Sequence, residues 1–149
     1  MKRCLTAIFF LSVAMMAEAE TKPLLQAIIA VESHGDDRAL GDTNMRNKAH
    51  GCLQVRQHCV DDVNETFGTS FRAEQCLGNR ALSIWIFERY MERYATAERL
   101  GHEPTDEDRA RIWNGGPNGW RRNGTLAYWA KVKKEMSSPA GSGKILARK

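Results

Sequence analysis

Apolar positions along the stretch LLQAIIAVESHGDD fall at the spacing of a helix. Counting from Leu25, Ile28 and Ile29 lie three and four residues on and Glu32 seven on, so a carboxylate sits on the face marked for burial. Thr21 is placed to cap this helix, Pro23 is tolerated in its first turn, and Gly35 follows its end. From residue 36 to 51 the chain turns polar and irregular. A short helix is predicted from Gln57 to Phe67, stopped by Gly68, and the longest from about Asn79 to Leu100. The long helix carries Leu82, Trp85, Phe87, Met91 and Tyr94 on its apolar side. Thr105 with Asp108 forms a capping box for the next helix, which Gly115, Gly116 and Pro117 end abruptly. The segment TLAYWAKVKKEM reads as a last amphipathic helix, and SSPAGSGKILARK from Ser137 as a flexible basic tail. There are no repeats, and no segment alternates well enough to make a strand of consequence. The fold class is mainly α.

The chain opens on MKRCLTAIFFLSVAMMAEAE, which changes the picture of where it works. Lys2 and Arg3 precede an apolar run from Leu5 to Ala17 that is short for a bilayer span, and Ala17-Glu18-Ala19 has the small-x-small form of a cleavage site. Residues 1–19 are therefore read as a secretory signal, 20–136 as the folded domain and 137–149 as the tail. The mature protein is expected to be exported, periplasmic or extracellular, and not to span a membrane. Loss of two basic residues and one acidic residue takes the formal charge from +4 to +3, a mild excess that suits an anionic surface. Nucleic acid fits poorly, because the basic residues are spread among acidic ones.

Cys4 leaves with the signal, and Cys52, Cys59 and Cys76 remain. No Cys-x-x-Cys or His-x-x-x-His spacing is present, so neither a metal nor a cofactor is expected. Export permits a disulfide, and three cysteines allow one bridge. A Cys59–Cys76 bond is expected, tying the short helix to the start of the long one with a stabilisation of about 3 kcal/mol. Cys52 is left to pack as a small apolar group.

Glu32 carries the candidate chemistry. Burial on an apolar face and the negative end of a helix dipole both favour the protonated carboxyl, which is what a general acid at neutral pH requires. The plain alternative is a glutamate at a frayed helix end that points to water.

Three later stretches bear on that choice: AHGCLQV, RIWNGGPNGW and LAYWAKV. Taken in order with Glu32-Ser33, they resemble the SLT-type lytic transglycosylases, whose lysozyme-like domain is shared with goose-type lysozymes. The resemblance runs from about Leu24 to Val132 and implies a small helical domain with a cleft. It puts Glu32 on the family's catalytic acid/base and Ser33 on the serine beside it. Gly51, Leu53 and Gln54 fall on a Gly-Leu-Met-Gln segment lining the sugar cleft. Asn114, with Gly116 and Pro117, falls on an Asn-Ala-Gly-Pro turn, and Tyr128 on a tyrosine close to the catalytic glutamate. The sequence departs from the family with Cys52 at its leucine, Leu53 at its methionine, Trp113 at a tyrosine, and a longer loop after Glu32.

The resemblance implies a monomeric enzyme that cleaves the MurNAc-β-1,4-GlcNAc bond of peptidoglycan strands with one glutamate and releases 1,6-anhydro-muramoyl products. Two alternatives stand beside it. One is a goose-type hydrolytic lysozyme with Asp42 as a second carboxylate, although Asp42 also suits a turn with Gly41 and Asn44. The other is a non-catalytic glycan-binding module on the same scaffold.

Overall fold

A computed structural model of the chain describes residues 24–138. The proposed signal, Thr21, Pro23 and residues 139–149 of the tail lie outside that range. The first described helix, α1, covers residues 24–33 and buries Leu24, Ala27, Ile28 and Ile29. It stops as predicted: His34 and Gly35 both turn left-handed, and the His34 N–H closes the last turn on the Ala30 carbonyl at 3.0 Å.

The polar stretch that follows contains a minimal antiparallel pair. Strand β1 (Leu40–Gly41) pairs with β2 (Ala49–His50), Leu40 opposite His50 and Gly41 opposite Ala49. Two residues per strand leave no alternation to read, so the pair is invisible to periodicity. His50 then exchanges two 2.9 Å backbone hydrogen bonds with Val55, folding residues 50–55 into a tight turn.

Helix α2 (Gln57–Phe67) matches its predicted bounds, with left-handed Gly68 donating its N–H to the Asn64 carbonyl. The long helix does not. It is divided into α3 (Arg80–Tyr94) and α4 (Ala97–Leu100), because the Thr96 side chain accepts the Arg99 N–H and starts a new helix. The buried face of α3 is also rotated from the expected one, comprising Ser83, Ile86, Phe87, Tyr90 and Met91. Leu82, Trp85 and Tyr94 pack at the core's edge instead. Ser83 is tolerated inside because its hydroxyl donates to the Asn79 carbonyl at 3.0 Å.

Helix α5 (Asp106–Gly115) carries the predicted Thr105/Asp108 capping box. A 3-10 turn at Gly119–Arg121 presses against it so closely that a Cβ on Gly119 would run into the Arg111 carbonyl oxygen. Helix α6 (Leu126–Met136) closes the described fold and anchors Val132 in the core. One cluster of buried residues extends from Leu24 to Val132. Among the described residues no helix is long and apolar enough to cross a membrane.

The expected Cys59–Cys76 bond is absent. Cys52, Cys59 and Cys76 are all free and buried. Burial pushes each thiol up, Cys76 to about 11, so the reactive thiolate is suppressed at all three. Each sulfur packs as part of the core rather than as half of a bridge.

Candidate active site

The end of α1, the β1–β2 loop, the 50–55 turn and the end of α5 meet around a cleft of about 410 Å³. Its lining includes Glu32, Asp42, Gln54, Arg56, Trp113 and Asn114. Glu32 reaches it from the last turn of α1, one helical turn beyond the buried Ile28–Ile29 pair, and is itself half-buried. The Tyr128 hydroxyl, carried by α6, donates to Glu32 Oε1 at 2.7 Å. Burial raises the Glu32 pKa above the ordinary carboxylate value. The Tyr128 bond and the Arg56 charge oppose that rise, and the Asp42 charge adds to it. Two residues ninety-six apart in sequence thus meet at the one carboxyl that the helical spacing singled out.

Asp42 faces the same cleft from the loop after β1. Its Oδ2 accepts from Arg56 Nη2, while Arg56 Nη1 donates to the Asn47 carbonyl at 2.6 Å. Arg56 therefore clasps both ends of the loop that carries Asp42. The backbone of Asp42 is left-handed, with φ of 49°, as are those of His34 and Gln54 at 54° and 51°. Non-glycine residues rarely adopt this conformation, and here two of the three, Asp42 and Gln54, line the cleft.

The other expected site residues divide by task. Gln54 lines the cleft, its amide nitrogen donating to the Gly51 carbonyl at 3.0 Å and the Ala39 carbonyl at 3.3 Å. Asn114 lines it as well, from the last turn of α5. Ser33 is tied to the scaffold: its hydroxyl donates to the Cys52 carbonyl at 2.9 Å and the Ile29 carbonyl at 3.2 Å, locking α1 to the 50–55 turn. Gly51 is buried with φ of 72°, and a Cβ there would collide with the Cys76 carbonyl oxygen. The Leu53 side chain is wholly buried, and its carbonyl accepts the Trp113 indole N–H at 3.2 Å. These three shape the cleft from behind and are not among its lining residues.

Sequence reasoning passed over Arg56 and Arg122, both of which line the cleft. Arg56 had no usable signal, since it follows a tight turn in which Gln54 is left-handed rather than extended. Arg122 had none either, because it lies in an irregular loop. Trp113 proves to be both packing and wall: it meets Phe87 and Tyr90 edge-on at 5.0 and 5.9 Å while lining the cleft.

No protein-family model matches the chain. The chain is 35% identical to a lysozyme of Magallana gigas over 85 residues, covering 57% of this chain and 58% of that one. It is 26% identical to an Ostrea edulis lysozyme over 132 residues, which are 89% of this chain and 93% of the other. Over 60 residues it is 40% identical to lysozyme 1 of Crassostrea virginica, covering 40% of this chain and 32% of that protein. Crystal structures of the lysozymes of Meretrix lusoria, bound to Aeromonas hydrophila PliI, and of Tapes japonica superpose with TM-scores of 0.64 and 0.63. Identities are 24% and 26%, and both superpositions cover 75% of this chain and 87% of the other. These relatives overturn the expectation of an SLT-type lytic transglycosylase with anhydro-muramoyl products, because they are bivalve lysozymes. The hydrolytic alternative fits them better. The chain has a mainly helical, lysozyme-like fold.

Proposed function

We propose that this chain is an exported, monomeric lysozyme that hydrolyses the MurNAc-β-1,4-GlcNAc bond of peptidoglycan. Glu32 is its general acid and Asp42 its second carboxylate. The observation that carries the reading is the pairing of two unlike carboxyls in one cleft: Glu32 half-buried with its pKa raised, Asp42 more exposed and paired with Arg56. That division of environment suits one group to give a proton and the other to face positive charge. Glu32 protonates the glycosidic oxygen as its bond to the anomeric carbon breaks. The Asp42 carboxylate stabilises the oxocarbenium-like transition state. A water adds to the anomeric carbon, and its proton returns to Glu32, which restores the enzyme. Gln54 and Asn114 hold the strand, and Tyr128 holds the Glu32 carboxyl. Ser33, Gly51 and Leu53 serve by shaping the cleft.

The test is mass spectrometry of sugars released from purified peptidoglycan by the wild type, Glu32→Gln and Asp42→Asn. The wild type is expected to give ordinary reducing ends. Glu32→Gln is expected to lose at least about 10²-fold in rate while still sedimenting with the wall. Products lighter by one water, or a wild type that binds walls without cleaving them, would overturn the proposal.

A further inference from the structure

The charges in the cleft do not all cancel within it. Arg56 is matched by Asp42, and Glu32 is held toward its neutral form by burial. Arg122 lines the cleft together with Asn114, Gly115 and Gly116, and forms no ion pair with a carboxylate among the described residues. Its guanidinium is anchored at one point, where Nη1 donates to the Gly115 carbonyl at 3.1 Å. Its backbone is held from both sides, the N–H by the Gly119 carbonyl at 3.0 Å and the carbonyl by Arg111 Nη2 at 3.2 Å. The side chain thus has a fixed base, one tether and a planar array of further donors facing a cleft that supplies it no anion.

We infer that Arg122 is the subsite for a carboxylate borne by the glycan, and that it makes the cleft select acidic wall strands over neutral chitin. The two polymers share the β-1,4-linked backbone, and wall strands add a carboxylate on each lactyl ether or on the peptide attached there. Guanidinium binds a carboxylate through two parallel hydrogen bonds, a geometry that an amide does not reproduce. The inference rests on the hydrolase reading but concerns specificity alone, since Arg122 has no contact with Glu32 or Asp42 among the described interactions.

The experiment compares kcat/KM of the wild type, Arg122→Gln and Arg122→Lys on three substrates. These are chitooligosaccharide, peptide-free GlcNAc–MurNAc oligomer, and solubilised wall with intact stem peptides. Arg122→Gln is expected to lose about tenfold on acidic substrates, mainly through KM, and to stay near wild type on chitooligosaccharide. Arg122→Lys should recover part of the loss, and raised salt should erase the wild-type preference while leaving the glutamine variant unchanged. A loss already present with the peptide-free oligomer assigns the lactyl carboxylate as the ligand, and a loss confined to intact wall assigns the stem peptide. An unchanged acidic-to-neutral ratio in Arg122→Gln overturns the inference while leaving the hydrolase intact. A wild type that cleaves none of the three overturns both.

Discussion

Replacing Tyr128 with Phe separates the tuning of Glu32 from its chemistry. The substitution removes the 2.7 Å hydrogen bond to Glu32 Oε1 and little else, because the ring is kept. A hydrogen bond to a charged group contributes about 1.5–3 kcal/mol and one to a neutral group about 0.5–1.5. The loss therefore falls harder on the ionised carboxylate, by about 1 to 1.5 kcal/mol. At about 1.4 kcal/mol per pH unit, the alkaline limb of the kcat/KM profile should move up by about one unit. The direction follows from the site: burial raises the Glu32 pKa, the tyrosine opposes that rise, and its removal lets burial act further. Stability carries the same sign. A carboxyl whose folded pKa is raised stabilises the fold below its unfolded value, and that contribution is lost as pH rises through the folded one. The melting-temperature gap between Tyr128→Phe and wild type should accordingly be wider at about pH 8 than at about pH 4. The assay is release of label from dye-coupled peptidoglycan across pH, with thermal melts on the same samples. An unmoved or lowered alkaline limb would refute the reasoning. So would a loss to the Glu32→Gln level at every pH, which would give the phenol a part in the reaction itself.

Other outcomes follow from other contacts. Arg56→Gln should release the loop from Asp42 to Asn47 and move the alkaline limb of the pH profile up, because the Arg56 charge opposes the rise of the Glu32 pKa, with Arg56→Lys recovering part of it; an unchanged profile would remove Arg56 from the site's electrostatics. Gly51→Ala should cost about 1–3 kcal/mol through its left-handed backbone and the Cys76 carbonyl, read as a fall of several degrees in Tm. Alkylation and peptide mapping should find Cys52, Cys59 and Cys76 unmodified until the protein is unfolded, and a linked Cys59–Cys76 peptide would restore the bridge.

How much of this is legible in sequence depends on whether one local rule acts alone. Helix α2 is readable to its ends because Gly68 closes it, and α5 opens where predicted because Thr105 and Asp108 satisfy each other. The break after Tyr94 is hidden, since Ala, Thr, Ala and Glu all continue a helical pattern and only the Thr96 oxygen, turned to the backbone, decides otherwise. The face of α3 is hidden for a related reason: Ser83 looks like a surface residue until its hydroxyl finds a carbonyl. At the site, Glu32 is announced by periodicity, because it violates the apolar face on which it sits. Tyr128 and Arg122 are long-range consequences of packing that no local spacing encodes. The choice between hydrolysis and anhydro-sugar formation is not a matter of motif either; on the proposed reading it turns on Asp42, a loop aspartate that looks like an ordinary turn residue.

The left-handed backbones around the cleft set a trap for anyone seeking a hardier version of this protein. A side chain in that conformation costs about 1–2 kcal/mol relative to glycine, and the cost is less for Asp42 than for Gln54, since aspartate is among the residues that tolerate it best. A library sorted for heat tolerance alone would therefore enrich glycine at 42 and 54 wherever that relief exceeds the Asp42–Arg56 pair and the two Gln54 amide hydrogen bonds. The survivors of such a sort would fold better, resist heating longer, and have discarded a carboxylate and an amide from the cleft wall. A useful sort would have to demand wall clearing in every round, or hold those two codons fixed and look for its degrees elsewhere in the chain.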